Sequence, residues 1–357
     1  MAPLSTQLAL GSAIVKIGLI CPYDLGLHGG VQQQVLELSR LLAATGDEPV
    51  LVGPGGGRHG GIDLGDSITI RGNRSKVPIS INPRVKGMLE QALAGVDLIH
   101  IHEPMMPVVG WAALTIELPA VVTFHAAKPQ WASQLYRLVP AGVFEGRILT
   151  AVSRVAAELP ARFGPIEIVP NGVDTARFRT GVQRHLQHVA FLGRPDPRKG
   201  FKVLSEAWQI VSEKVPGAEL VVMGIEGTEK NRVRYLGRVD EDEKSRRLQA
   251  SEIFVAPNLS GESFGVVVAE GMAAGCAVVA SDIDAFRALT GGTARLVPPG
   301  DAGHLAATLI ELLRSPPATR DMGKRARQRA AEFDWSHVLA KYRVAYRRAI
   351  GINEAAR

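Results

Sequence analysis

The stretch from Gly261 to Gly275 constrains the fold more than any other part of the sequence. It reads GESFGVVVAEGMAAG, a glycine-containing turn followed by a run that is too apolar for an exposed helix. A further apolar run over 278–282 ends in a polar loop and is typical of a buried strand. Gly265 lets the backbone approach a ligand closely, and Gly275 is typical of the residue that follows a helix. The stretch therefore predicts a buried helix of an α/β protein.

Two carboxylates, Glu262 and Glu270, bracket this predicted helix. A helix N-terminus that follows a glycine turn presents unpaired N–H groups to an anion such as a phosphate. A carboxylate within so apolar a segment needs a partner or a polar ligand. Two interpretations stay open: the glutamates bind a ligand, or they only cap and solvate a core helix.

The chain carries two α/β series and, with 357 residues, is long enough for two domains. One series begins with the apolar run 14–21 and the other with the run 188–193. Each has its own glycine-containing first turn, so we predict two Rossmann-like domains that face each other across a cleft. The expected parts are an N-terminal extension over 1–13, a first domain over 14–172, a second domain over 173–334 and a C-terminal helix over 335–357.

Composition excludes several classes of protein. The net charge of +6 suggests anionic partners, but aromatic residues make up only 5% and no patch interleaves them with basic residues, which disfavours nucleic-acid binding. Two cysteines make no disulfide framework and indicate a reducing cytosol. No apolar run of membrane-spanning length occurs, and the first 13 residues lack the basic start of a signal peptide.

Two local signals in the first series point to a ligand, and each has a plainer explanation. His125 follows the apolar run 120–124, and ligands of open α/β sheets bind outside the carboxyl ends of the strands. A structural histidine would look the same. Gly29 and Gly30 precede a helix and suit a phosphate-binding turn, or only tight packing. A nicotinamide-binding fingerprint G-x-G-x-x-G is missing, which disfavours a dehydrogenase.

A basic segment between two predicted strands, at 49–53 and 96–103, is poor in apolar residues. It is either a solvated surface or a contact with anionic lipid headgroups. Its basic residues are Arg71, Arg74, Lys76, Arg84 and Lys86.

Three motifs in this order resemble those of the retaining glycosyltransferases of family 4, which have the GT-B fold. From the N-terminal side they are PNGVD over 170–174, the loop from Gly193 to Gly200, and the E-x₇-E pattern from Glu262 to Glu270. Within that family the likeness is closest to actinobacterial phosphatidylinositol α-mannosyltransferases. It rests on CPY at 21–23, GGVQ at 29–32, HIHEP at 100–104, TFH at 123–125, GESFG at 261–265 and ASDIDAFR at 280–287.

The resemblance implies a donor site for a nucleotide sugar. Arg194 and Lys199 match the pair that neutralises the donor diphosphate, where negative charge builds as the leaving group departs. Glu262 matches the glutamate that holds the sugar hydroxyls, Glu270 matches the one that binds the ribose hydroxyls, and His125 would lie beside the reacting sugar. The expected catalytic residues are His125, Arg194, Lys199 and Glu262; the expected donor-binding residues are Gly30, Arg194, Lys199, Glu262, Ser263, Phe264, Gly265, Val266 and Glu270.

The resemblance also implies a lipid acceptor, phosphatidylinositol, and a peripheral position on the cytoplasmic face of the cell membrane. The C-terminal helix would return to the first domain. No tightly bound cofactor and no metal site are expected, with GDP-mannose as donor substrate and Mg²⁺ at most as a stimulating ion. No obligate protein partner can be read. The expected acceptor and lipid contacts are Tyr23, Gln32, Arg71, Arg74, Lys76 and Lys128.

We therefore predict a retaining glycosyltransferase that moves mannose from GDP-mannose to the inositol ring of phosphatidylinositol. One alternative is a transferase that uses a UDP-sugar and another lipid or a small polyol, because the short segment 225–235 borders the expected base pocket. Another is a catalytically silent protein that binds a nucleotide sugar or an anionic lipid. The joint presence of His125, Arg194, Lys199 and both glutamates argues against the silent protein. A nucleotide-sugar epimerase is disfavoured by the E-x₇-E spacing.

Overall fold

The structure, a computed structural model, describes residues 14–72, 75–127, 136–178 and 181–355. The chain divides into two compact units. The first unit comprises the described residues within Met1–Ala151, Leu159–Glu167 and Leu339–Arg357, and the second comprises those within Val152–Glu158 and Ile168–Val338.

The first unit is built on a parallel sheet. Its strands are β1 (Lys16–Ile20), β2 (Glu48–Gly53), β3 (Ile62–Asp63), β6 (Leu98–His102), β7 (Ala120–Phe124), β8 (Ile148–Ala151) and β9 (Ile166–Ile168). Their order is β3-β2-β1-β6-β7-β8-β9, and the pairings from β3 to β8 are parallel. The chain first builds outward from β1 and then returns to β6 on the other side, so the sheet has a switch point between β1 and β6.

The remaining elements of the first unit flank this sheet. Strands β4 (Ser67–Gly72) and β5 (Ser75–Ser80) form an antiparallel hairpin, which the sequence did not predict. The helices are α1 (Gly30–Ala44), α2 (Val85–Ala92), α3 (Val109–Ala113) and most of α11 (Trp335–Ala355). Residues of β6 and β7 are buried throughout, as expected for central parallel strands covered on both faces.

The second unit repeats this design. Its strands are β10 (His188–Leu192), β11 (Glu219–Met223), β12 (Val233–Tyr235), β13 (Ile253–Ala256), β14 (Ala277–Ser281) and β15 (Arg295–Val297), in the parallel order β12-β11-β10-β13-β14-β15. Its helices are α4 (Arg154–Ala157), α5 (Phe201–Lys214), α6 (Glu241–Ala250), α7 (Val266–Ala273), α8 (Asp284–Thr290), α9 (Ala302–Arg314) and α10 (Pro316–Ala330). Strands β10 and β13 flank its switch point.

The units differ from the predicted domains at two places. Residues 152–158 and 168–172 belong to the second unit, although we expected both in the first domain. The hydroxyl of Ser153 donates to the carbonyl of Ser263. Val173, at the end of the 168–172 segment, exchanges backbone hydrogen bonds with Phe333 and Trp335. Such contacts join residues far apart in sequence, and no local pattern announces them. Helix α11 starts in the second unit and enters the first at residue 339.

The stretch from 261 to 275 folds as expected. Helix α7 begins after Gly265, which has a φ of 99°, and ends just before Gly275, which has a φ of 77°. All residues of the following strand β14 are buried. A Cβ added to Gly271 would lie 2.7 Å from the Phe254 ring, so this glycine lets α7 pack closely on β13. No described helix is long and apolar enough to cross a membrane.

A glycine in α10 sets how closely that helix approaches α7. A Cβ added to Gly323 would lie 2.2 Å from the backbone carbonyl oxygen of Gly275, which cannot move aside as a side chain could. Helix α10 therefore packs against the end of α7 only with glycine at this position.

We expect Gly323→Ala to lower the free energy of unfolding by about 1–3 kcal/mol, because the added methyl group forces two backbones apart. Gly303→Ala is the matched control, since Gly303 also lies in a helix of the second unit and its added Cβ would meet only an ordinary contact at 3.5 Å. Thermal melting of both variants checks this. Equal melting temperatures would show that α7 and α10 can separate without cost.

Candidate functional site

Two loops meet at the switch point of the second unit. One follows β10 and covers 193–200, and the other follows β13 and covers 257–265. Gly200 has a φ of 69°, and a Cβ at this residue would lie 1.8 Å from the carbonyl oxygen of Pro257. The carboxyl ends of parallel strands at a switch point form the crevice in which α/β proteins bind ligands. Only glycine allows the two loops to touch there.

The two loops are joined by charged and polar side chains. Lys199 Nζ donates to Glu262 Oε2 at 2.7 Å, and Asn258 Nδ2 donates to the same oxygen at 2.9 Å. Asn258 is buried, and the side chains of Lys199 and Glu262 are 22% and 18% exposed. Glu262 Oε1 makes no hydrogen bond with the described residues and stays available as an acceptor. The structure thus brings together Lys199 and Glu262, two of the predicted site residues.

The loop after β10 carries two arginines in different roles. Arg198 forms an ion pair with Asp196 at 2.6 Å, and this hydrogen bond lowers the pKa of the aspartate. Arg194 is exposed, and its guanidinium has no ion pair or hydrogen bond among the described residues. Arg198 therefore braces the loop, whereas Arg194 is a cation that can meet an anionic ligand.

Glu270 lies on α7 and has a buried partner of its own. Lys244 Nζ, from α6, donates to Glu270 Oε1 at 2.7 Å, and the two side chains are 12% and 13% exposed. Glu270 Oε2 is buried without a hydrogen-bond partner in the described structure. Burial raises the pKa of Glu270, and the charge of Lys244 opposes that rise. Each glutamate of the E-x₇-E pattern thus has one oxygen bound by a lysine and the other oxygen without a partner among the residues that the structure describes.

Four of the remaining predicted donor residues lie between these glutamates in the sequence, and Gly30 lies in the first unit. Phe264 and Gly265 are buried, and Phe264 packs edge-on against Phe333 at 5.5 Å between ring centroids. Ser263 and Val266 are half-buried in the same turn. Gly30, the first residue of α1 in the first unit, is exposed, and a Cβ there would meet no atom of the described protein within 4 Å.

A second group of polar side chains lies at the ends of β6 and β7 in the first unit. His102 Nδ1 and His125 Nε2 are 2.9 Å apart, and both histidines are buried. The backbone N–H groups of His125 and Ala126 both donate to Glu103 Oε2 at 2.9 Å. The predicted His125 is therefore held through its backbone N–H by the Glu103 carboxylate and through its ring by the imidazole of His102.

The hydrogen bond between the two imidazoles needs one ring nitrogen to donate and the other to accept. Burial lowers the pKa of His102 well below its ordinary value, so this histidine is neutral at physiological pH. Its Nε2 is buried without a hydrogen-bond partner among the described residues. A neutral imidazole carries one donor and one acceptor nitrogen, so His102 Nδ1 can fill either role towards His125 Nε2.

The predicted acceptor residues are placed less completely. Gln32 is buried and donates from Nε2 to the carbonyl of Asp24 at 3.3 Å, while Tyr23 is half-buried. The carboxylate of Asp24 accepts from the Ser67 hydroxyl at 2.6 Å, which ties the β4–β5 hairpin to the loop after β1.

Of the four basic residues predicted to contact the lipid, the structure describes the backbone of two. Arg71 and Lys76 pair across the β4–β5 hairpin by their backbones. Arg74 and Lys128 lie outside the described residues.

Comparisons with known proteins agree with this geometry. A family model described as Glycosyltransferase Family 4 matches residues 28–177, and one described as Glycosyl transferases group 1 matches residues 187–315. The phosphatidyl-myo-inositol mannosyltransferase of Mycolicibacterium smegmatis is 34% identical, over 94% of this chain and 95% of that protein. The chain belongs to glycosyltransferase family 4. Proteins with the same description from Mycobacterium leprae and Propionibacterium freudenreichii are 33% and 32% identical, over 92% and 93% of this chain and 95% of each relative.

Solved structures identify the fold of this family 4 member as GT-B, with two Rossmann-like domains. A glycosyltransferase from Rickettsia africae superposes with a TM-score of 0.74 at 18% identity, over 95% of this chain and 99% of that chain. Anabaena HepE in complex with UDP and glucose gives a TM-score of 0.71 at 18% identity, over 92% and 98%. The predicted fold class is confirmed, and the chain is a glycosyltransferase.

Sequence reasoning missed three residues that bind predicted site residues. Asn258 binds Glu262 and had a detectable signal, since it is a polar residue directly after the apolar run 253–257. Lys244 binds Glu270 but is 26 positions away, within a run of charged residues typical of an exposed helix. His102 binds His125, and the motif HIHEP, in which it stands, gives no indication of this partner.

The buried histidines predict how stability depends on pH. Burial lowers the pKa of His102 below its unfolded value, so its contribution to stability is present above about pH 6.5 and is lost as the pH falls below that value. We expect His102→Leu to make the loss of stability between pH 6.5 and 5 shallower by up to about 1.4 kcal/mol per pH unit. Urea unfolding at several pH values measures this. The exposed His304, changed to leucine, is the control, and equal slopes in both variants would contradict the expectation.

Proposed function

We propose that this glycosyltransferase moves mannose from GDP-mannose to the inositol ring of phosphatidylinositol, with retention at the anomeric carbon and at the cytoplasmic face of the cell membrane. The observation that carries the proposal is its identity of 34% to a phosphatidyl-myo-inositol mannosyltransferase over nearly the whole of both chains. The geometry of the two sites supports the chemistry, as follows.

The second unit supplies groups suited to the donor. As the bond between the mannosyl C1 and the diphosphate breaks, negative charge accumulates on the phosphate oxygens, and a fixed cation nearby stabilises that state. Arg194 is an exposed cation without a partner in the described structure, and Lys199 lies in the same loop and binds Glu262. Glu262 Oε1, which has no partner among the described residues, can accept a hydrogen bond from a sugar hydroxyl, and Oε2 of Glu270 can accept one from the ribose.

The first unit supplies groups suited to the acceptor. In the reaction a bond forms between an inositol oxygen and the mannosyl C1, and the hydroxyl proton leaves with the departing diphosphate. Gln32 and Tyr23 follow β1 at the switch point, and Ser67 connects their loop to the hairpin that carries Arg71 and Lys76. The basic hairpin suits the phosphate groups of an anionic lipid surface. His125 is assigned to orient the reacting sugar or the acceptor.

One observation favours a second candidate, transfer from a UDP-sugar to another lipid or a small polyol. The described segment between β11 and β12 spans only residues 224–232 and contains no helix. A short connection there offers less protein surface to a large purine base than a helical one would. The size of the base is therefore the property that separates the two candidates.

We expect GDP to stabilise the protein against heat more than UDP, ADP or NAD at equal concentration. A nucleotide that binds the folded protein and not the unfolded chain raises the free energy of unfolding, and the tightest-binding nucleotide raises it most. Incubation with GDP-mannose and phosphatidylinositol vesicles should then yield a mannosylated lipid. Stabilisation by UDP alone would replace GDP-mannose by a UDP-sugar, and stabilisation by none would favour the silent binding protein.

The same assay locates the chemistry. Glu262→Ala and Arg194→Ala should each reduce kcat/KM by about 100-fold or more, because each removes a charged contact made in the transition state. Lys202→Ala is the control, since Lys202 lies on α5 with a side chain that is 92% exposed. Near-normal turnover in either site variant would contradict the assigned donor site.

The basic hairpin predicts a salt-dependent membrane contact. Replacing Arg71, Arg74 and Lys76 by glutamine should weaken binding to anionic phosphatidylinositol vesicles by roughly 100-fold at low salt, at about 1 kcal/mol per basic residue. The control replaces three exposed basic residues of α10 in the second unit, namely Arg320, Lys324 and Arg325. Vesicle sedimentation measures both. An equal effect in the two triple variants would leave the hairpin an ordinary solvated surface.

A further inference from the structure

The partner of Glu270 is part of a chain of alternating charges. Lys244 binds Glu270 Oε1 at 2.7 Å and Glu241 at 2.8 Å, and Glu241 in turn pairs with Arg177 at 3.1 Å. Arg177 pairs at its other end with Asp174 at 3.6 Å. Only one end of this chain is buried, because the side chains of Lys244 and Glu270 are 12% and 13% exposed whereas that of Glu241 is 57% exposed.

The buried end of this chain calls for a functional explanation. An ion pair removed from water loses hydration that its mutual attraction barely restores, so buried pairs contribute little stability and are often replaceable by apolar side chains. Here the pair is also incomplete, because Glu270 Oε2 is buried and has no hydrogen-bond partner in the described structure. A buried carboxylate oxygen without a donor costs free energy until a ligand supplies one.

We propose that Lys244 is a positioning residue for the donor nucleotide: by binding Oε1 it fixes the Glu270 carboxylate so that Oε2 accepts from the ribose hydroxyls. This inference rests on the proposed function, in which Glu270 contacts the ribose. It adds a residue on another helix, 26 positions away, that determines whether the contact can form.

The charge of Lys244 also favours the ionised form of Glu270, in which Oε2 is a hydrogen-bond acceptor. Burial raises the pKa of Glu270, and the nearest opposing charge is that of Lys244, followed at greater distance by Arg177, while Glu241 acts in the same sense as burial. Without Lys244 the carboxyl binds a proton more readily, and a protonated oxygen no longer accepts as strongly from a hydroxyl. The carboxylate also loses the contact that fixes its rotation. Both effects act on the ribose hydroxyls and spare the base and the diphosphate.

The same arrangement occurs at the other glutamate of the site. Lys199 binds one oxygen of Glu262 and leaves the second oxygen without a partner in the described structure. Lys199 lies in the loop that follows β10, at the site itself, whereas Lys244 approaches from α6 on the side of Glu270. Lys244 therefore acts through Glu270 and needs no contact with the nucleotide.

The test compares a nucleoside diphosphate with its 2′-deoxy analogue by calorimetric titration. The wild type should bind GDP about tenfold or more tighter than 2′-deoxy-GDP, because it forms a hydrogen bond to a charged acceptor. Lys244→Met should reduce that ratio of affinities to about threefold or less, mainly by weakening the binding of GDP. Lys202→Met, the same change at an exposed lysine, should leave it intact. A Lys244→Met protein that keeps the full ratio, or that loses affinity for both nucleotides equally, would overturn the proposal.

Removal of Lys244 leaves a buried carboxylate without its counter-charge, which can destabilise the fold. Two further variants keep the test decisive. Lys244→Arg retains the charge and should retain most of the ratio. Glu270→Gln should lose the ratio on its own, and adding Lys244→Met to it should change the ratio no further, because the lysine acts only through the glutamate. An additional loss in the double variant would contradict this.

Failure of the inference and failure of the proposed function give different results. If the wild type binds UDP and not GDP, the GDP-mannose proposal fails, and the same comparison is made with UDP and 2′-deoxy-UDP because the ribose is common to both. A wild type that binds its nucleotide without discriminating ribose from deoxyribose overturns the role of Lys244 while leaving the donor assignment intact. A wild type that binds neither nucleotide overturns both.

Discussion

At the junction of β10 and β13 the backbone of Gly200 approaches the carbonyl of Pro257 so closely that an added Cβ would lie 1.8 Å from that oxygen. The rest of the second unit's site depends on this approach. It places Lys199 within 2.7 Å of Glu262, although the two residues are 63 positions apart. Any larger residue at position 200 would separate the loops, and the lysine could then no longer hold the glutamate. A steric constraint of the backbone thus fixes an electrostatic contact.

The two glutamates of the site solve one problem in two places. In the proposed function each carboxylate accepts hydrogen bonds from the donor, so it has to be held in one orientation. A lysine on one oxygen fixes that orientation, and the second oxygen has no hydrogen-bond partner among the described residues. Arg194 differs from the glutamates, because it is exposed and forms no ion pair among the described residues. The protein therefore supports the buried acceptors with partners and leaves the exposed cation without one among the described residues.

The sequence was informative wherever one segment carries its own signal. The apolar run and the glycines at 265 and 275 predicted α7 and its ends, and the E-x₇-E spacing singled out two carboxylates that the structure pairs with lysines. The partners of those carboxylates were harder to predict. Lys244 stands in the run EDEKSRR, whose charges look like those of any solvated helix, and only the packing of α6 beside α7 brings its ammonium to Glu270.

The same limit explains the other differences between prediction and structure. Strand β4 alternates polar and apolar residues in SITIRG, but β5 contains a proline at position 78, which is rare inside a strand and disfavoured a hairpin here. Residues 152–158 and 168–172 both belong to the second unit instead of the first. Ser153 and Val173, in or next to these segments, form hydrogen bonds with second-unit residues more than 100 positions away. Local patterns predict elements, whereas such long-range contacts decide to which unit a short segment belongs.

The C-terminal helix has a comparable long-range role within the first unit. Tyr346 of α11 shares a hydrogen bond of 2.9 Å with His100 Nδ1, and His100 Nε2 shares one of 2.6 Å with the Thr123 hydroxyl. His100 is fully buried in β6, two residues before His102, and their rings lie 3.9 Å apart between centroids. A buried imidazole that loses one of its two partners is left with an unsatisfied polar atom. The strand that carries His102, and through it the orientation of His125, therefore depends on a tyrosine that enters the unit from the far end of the chain.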